Sequence, residues 1–240
     1  MKSYLARFGP DGRMYFGQGT ATSSGVVGKD NFDLGWLQLA TMVHDIPGKN
    51  ITLTGDNFKS PNPLIRNESN SISKTIPGAY SPFGVLTHKG EIIRGDIKCS
   101  GCILSAKPDG TNLKLVACGL RHPYGITVDR DGKNLIIAMD AADERASPES
   151  RPVHLANDAI YKISIPRTTS ASNSISTPSN SISTTSNSSS STSSYQAKWY
   201  GWPDFFAMQS PLLLPNLILN GQRMVPFIFS CSIIPQYKNH

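Results

Sequence analysis

Residues 125–139, GITVDRDGKNLIIAM, decide the fold class. Asp131-Gly132 supplies the positive φ angles of a tight turn, and the apolar and β-branched residues on either side suit two antiparallel strands. The same grammar recurs in ARFGPDGRMYFG (6–17) around Asp11-Gly12, in ILSAKPDGTNLKLVA (103–117) around Asp109-Gly110, and in GVLTHKGEIIRG (84–95) around Lys89-Gly90. Each of the four segments is read as a β-hairpin. The last three follow at roughly 20-residue intervals, and no amphipathic stretch long enough for a helix of about 12 residues interrupts them. Repeated meanders of this kind predict an all-β protein, either a sandwich or a propeller. DAIYKISI (158–165) is a further strand, so 124–165 reads as strand, turn, strand, loop, strand. That is most of one propeller blade, which favours the propeller.

Composition bounds the rest. The apolar fraction of 38% is lean because residues 168–194 are almost entirely Ser, Thr and Asn. Such a segment buries too little apolar surface to offset its chain entropy, and it is expected to be a linker or loop insertion. NESNSIS (67–73) has the same character. The formal charge of +6 raises the question of nucleic acid, but Lys49, Lys59, Arg66, Lys74, Lys89 and Arg94 are scattered singly, with no basic helix or aromatic-interleaved patch. No nucleic-acid partner is expected.

Four cysteines, Cys99, Cys102, Cys118 and Cys231, are too few for a disulfide scaffold. CSGC (99–102) has metal or redox spacing, yet no second pair completes a zinc site, and the favoured reading is buried or weakly paired thiols on neighbouring strands. MKSYLARFGPDG lacks the apolar core of a signal peptide. LLLPNLIL and VPFIFSCSII are each too short to span a bilayer, so no transmembrane segment is expected.

Several of these stretches together resemble one family. GLRHPYGITVDRDGKNL (119–135), DAADER (140–145), NDAIYKI (157–163) and YGWPDF (200–205) are similar, in order and spacing, to landmarks of the soluble quinoprotein glucose and sorbosone dehydrogenases. FGPDGRMYFGQG (8–19) is similar to a turn of an earlier blade. The resemblance covers roughly residues 5–165 and 195–206. It implies a six-bladed β-propeller with pyrroloquinoline quinone and calcium as cofactors, a sugar as substrate, and a location outside the cytoplasm. The electron acceptor is left open.

What the resemblance implies for single residues follows from the reaction. A hydride passes from the sugar to the quinone, negative charge grows on the quinone oxygens, and a fixed guanidinium stabilises it without reorganising. Arg121 matches the family's quinone-contacting Arg and is the expected catalytic residue. His122 is the adjacent cofactor-binding residue, in a position where relatives often carry Asn, and Pro123 and Gly125 fix the turn. The alternatives are a structural ion pair for Arg121 and a satisfied turn histidine for His122. Calcium is implied at the following loop, through the carbonyls of Ala141 and Ala142, with Asp143 and Glu144 as hard oxygen donors or as ordinary solvated carboxylates.

The same comparison exposes departures. The family's general-base His falls eight residues before Gly9, which is Met1 here. His44, His88 and His154 stand in no matching context, and His44-Asp45 is read as a loop capping pair. Beyond Phe206 the residues 207–240 carry no hairpin turns, an atypical tail that suggests a shifted frame or early end. The expected organisation is propeller blades over 1–167, linker over 168–194, a return to the propeller at 195–206, and the tail. Without linker and tail, roughly 180 residues make about three to four blades, so open edges and self-association are expected. The second functional reading is a noncatalytic propeller fragment that binds a glycan or protein. A hydrolase is disfavoured, since neither a Gly-x-Ser-x-Gly elbow nor a His-Glu-x-x-His helix occurs.

Overall fold

The computed structural model describes residues 6–65, 73–140, 158–166, 197–204, 217–219 and 228–229. In chain order the strands are β1 (Arg7–Phe8), β2 (Met14–Gln18), β3 (Ile51–Thr52), β4 (Ser60–Pro61), β5 (Lys74–Thr75), β6 (Ile92–Ile93), β7 (Cys102–Ala106), β8 (Lys114–Cys118), β9 (His122–Val128), β10 (Asn134–Asp140), β11 (Ala159–Ser164), β12 (Lys198–Trp199) and β13 (Ile228–Phe229). The helices among the described residues are short, α1 (Lys29–Asp33) and α2 (Trp36–Leu39), so the all-β expectation holds. No described helix is long and apolar enough to cross a membrane.

Three of the four expected hairpins form. Gly12, Gly110 and Gly132 take φ of 72°, 81° and 69°, the left-handed values the turns require. They join β1 to β2, β7 to β8 and β9 to β10. The Lys89-Gly90 segment makes its turn but not a hairpin. Both backbone groups of Thr87 are taken by the Asn57 side chain at 2.9 Å, and β6 beyond the turn pairs with β3 instead.

The strands assemble into a five-stranded sheet ordered β1-β2-β7-β8-β12 and a four-stranded sheet ordered β13-β11-β10-β9, with two small two-stranded pieces. Burial follows the strand period of two. In β10 Leu135, Ile137 and Met139 are buried, and in β11 Ala159, Tyr161 and Ile163 are buried opposite outward-facing Ile160, Lys162 and Ser164. β7, paired on both sides within its sheet, is buried at every position. One apolar cluster runs through both sheets, from Tyr15 and Ile103 to Leu135 and Tyr161.

The expected linker lies outside the described residues. Within the expected return at 195–206, the described residues 197–204 carry β12, whose Trp199 lies parallel to Cys118 of β8 in the first sheet. The tail contributes more than its lack of turns suggests. Leu217 and Ile218 donate their backbone amides to the buried Asp204 carboxylate at 2.8 and 3.0 Å, Ile218 bridges Leu53, and β13 pairs with β11.

The β9–β10 turn carries a pH-sensitive clasp. Asp129 accepts from the Asn134 side chain at 2.7 Å and from the backbone amides of Lys133 and Asn134 at 2.9 and 3.0 Å. These bonds, the Asn134 side chain first, hold its carboxyl below the usual value. A depressed carboxyl stabilises the fold above its unfolded pKa, and that contribution is lost as pH falls through the folded value. Asp129→Asn is therefore expected to flatten the acid limb of a urea-midpoint profile measured from pH 6 to pH 2. An unchanged acid limb would refute this role.

Candidate functional site

The end of the β9–β10 hairpin away from its turn brings Arg121 and His122 beside Asp140. The register sets Asp140 opposite His122, with Met139 opposite Pro123 and Ala138 opposite Gly125. Tyr124 is therefore the extra residue of a bulge, and bulges re-aim neighbouring side chains. Arg121 enters this corner one residue before β9, its backbone N–H 3.5 Å from the Met139 sulfur.

The Arg121 side chain is buried, 6% exposed. Nη2 donates to Ser23 Oγ at 2.9 Å, and Nη1 lies 3.4 Å from Asp140 Oδ2. Asp140 is 54% exposed at its side chain, so this ion pair is screened on one side. His122 is half-buried and packs its imidazole directly against Gly19, where any larger residue would meet it. Arg121, His122 and Asp140 thus share one corner. Ala141, Ala142, Asp143 and Glu144 lie outside the described residues, and among those described no group of three or more His, Cys, Asp or Glu is placed to hold a metal ion.

The residue that positions Arg121 was not foreseen. Ser23 belongs to the small-residue run TATSSG (20–25), which carries no periodicity and no charge. Its hydroxyl meets Arg121, and its carbonyl accepts from Trp202 Nε1 at 3.1 Å. The run is held by Asp45, which accepts from the amides of Ala21 and Thr22 at 2.7 and 3.1 Å and from Thr22 Oγ1 at 2.5 Å. Burial pushes the Asp45 carboxyl above its usual value, against these hydrogen bonds and one from Ser100. The expected His44-Asp45 capping pair is thereby corrected. Asp45 is buried and reaches back to 21–22, whereas His44 Nδ1 meets the Met42 carbonyl at 2.9 Å. Asp30 is a second perturbed carboxyl, raised to about 7 by burial at the start of α1.

Three thiols lie in the core. Cys99, Cys102 and Cys118 are free and buried, as the sequence reading favoured. Lys49 stands over the Trp199 ring, its Nζ 5.0 Å from the centroid. Comparison with protein-family models, with curated proteins and with solved structures finds no match to this chain.

Proposed function

We propose that this protein is a quinoprotein sugar dehydrogenase built on a β-propeller, oxidising an aldose or sorbosone-like sugar. The observation that carries the reading is the corner itself, with a buried guanidinium fixed by Ser23 and His122 directly across from Asp140. Arg121 supplies the kind of donor that an anionic planar acceptor needs. The Asp140 side chain is 54% exposed, and a ligand carboxylate or quinone oxygen offers Arg121 the same acceptor chemistry. When bound, pyrroloquinoline quinone supplies the two-electron acceptor. Arg121 then holds developing negative charge on an oxygen, and the Ser23 bond spares it from reorienting. His122 orients the cofactor edge. Calcium, held by the carbonyls of Ala141 and Ala142 and by Asp143, belongs to the same proposal.

Dye reduction with added quinone, calcium and a panel of sugars tests it. The expected result is turnover that needs all three and is lost in Arg121→Ala, with quinone affinity weakened in calorimetric titration. Circular dichroism and the urea midpoint check that the variant folds. Quinone-independent or absent turnover would reject the enzyme reading. One observation favours a second reading: Arg121 already has Ser23 and Asp140 as partners, as a structural ion pair would. In that case the chain is a noncatalytic module, and glycan or protein binding without dye reduction is expected.

A further inference from the structure

We propose that Cys99 and Cys102 close into an intrachain disulfide when the chain folds in an oxidising environment. The two cysteines flank the four-residue turn CSGC, and Cys102 Sγ donates back to the Cys99 carbonyl at 3.0 Å, which brings the Cys102 thiol against the Cys99 residue. The turn is already set. Gly101 takes φ of 59° with Leu120's carbonyl so close that no side chain fits, and the chain there exchanges backbone bonds with its surroundings. Ser100 N donates to Ile46 O at 2.8 Å, Ile46 N to Ser100 Oγ at 3.1 Å, and Leu120 N to Gly101 O at 2.9 Å. The proposal is that this fixed turn holds the two side chains where their sulfurs can join. Cys118, at the end of β8, is a buried third thiol near Cys99 but shares no hydrogen bond with it among the bonds described.

The chemistry is ordinary exchange. One cysteine thiolate attacks a small-molecule disulfide such as oxidised glutathione, forming a mixed disulfide and releasing one thiol. The second cysteine thiolate attacks the mixed disulfide at the protein sulfur and releases the other thiol. Two cysteine S–H bonds are lost, one S–S bond forms, and the glutathione disulfide is reduced to two thiols.

Burial decides when this happens. Cys99 and Cys102 are both 0% exposed, so neither oxidant nor reductant reaches them in the native chain. Burial also pushes Cys118 up to about 12, and hydrogen bonding to Cys99 followed by burial pushes Cys102 upward, so neither supplies an attacking thiolate once folded. The redox state of the pair is fixed during folding and kept afterwards.

The full chain is unfolded in urea with reductant, desalted, and refolded with either oxidised or reduced glutathione. Free thiols are then alkylated under denaturing conditions and the chain is digested with trypsin. After oxidised refolding the peptide 99–114 is expected to be two hydrogens lighter, unalkylated at both cysteines, with Cys118 alkylated. Chain folded in the reduced form and only then given oxidised glutathione is expected to remain a dithiol. Cys118→Ser is expected to make the same link. A link from either residue to Cys118 or Cys231, a lasting glutathione adduct, full alkylation after oxidised refolding, or rapid closure in the folded chain would each overturn the proposal.

Discussion

Asp45→Ala is expected to unfold the chain at markedly lower urea concentration than the parent. The carboxyl oxygens accept from two backbone amides and one hydroxyl in a place without solvent, 1% exposed. Each buried donor left without an acceptor costs about 1–3 kcal/mol, and with partial relaxation the three together cost about 3–5 kcal/mol. The effect has a pH signature. Because burial raises the Asp45 carboxyl, the native chain holds its proton to higher pH than the unfolded chain does. The stabilising contribution is thus full at acid pH and is lost as pH rises through the native pKa. The difference between parent and Asp45→Ala is expected to be largest at acid pH and to shrink as pH rises through the native pKa. Equilibrium unfolding monitored by tryptophan fluorescence at several pH values reads both features. A difference below about 1 kcal/mol at acid pH would mean that the 20–25 run is held by something else.

Trp202→Ala is expected to be of similar severity. Trp202 is the largest fully buried side chain, 2% exposed, and it packs edge-on against Tyr80 with ring centroids 6.1 Å apart. Removing a buried Trp typically costs about 3–5 kcal/mol. Trp202→Phe keeps most of the volume but loses the indole N–H that Ser23's carbonyl accepts, so a loss of about 1–2 kcal/mol is expected. Trp202 and Arg121 meet the two sides of Ser23, so Trp202→Phe and Ser23→Ala are expected to be non-additive in a double-mutant cycle. Strict additivity of their urea midpoints would show that Ser23 does not couple them.

The parts of the fold that sequence reasoning reaches are those governed by local chemistry. Asp-Gly turns need positive φ, and the β-branched and apolar runs beside them mark the strands, whereas which face each strand buries emerges only from the structure, since 135–139 are apolar throughout. The Lys89-Gly90 turn was equally visible, but its strand partner was not. That choice is made by Asn57, thirty residues earlier, whose amide satisfies Thr87 before any strand does. Arg121 and His122 were singled out through the resemblance, and the pairing of β9 with β10 adds Asp140 to them, because a hairpin brings the residues at its open end together. Ser23 and Asp45 were not, because a serine in a run of small residues and an aspartate beside a histidine carry no pattern until a distant arginine or a pair of amides closes on them.

The parallel seam between β8 and β12 sets a timing problem for the ribosome. Cys118 finds its partner Trp199 only after about 80 further residues have been made, which takes about 4–16 s at common elongation rates. Throughout that interval the hydrogen-bonding rim of β8 stays unclaimed while the hairpin after it has already emerged. A nascent chain stalled between these points is the form most exposed to stray strand addition, and the most in need of a chaperone.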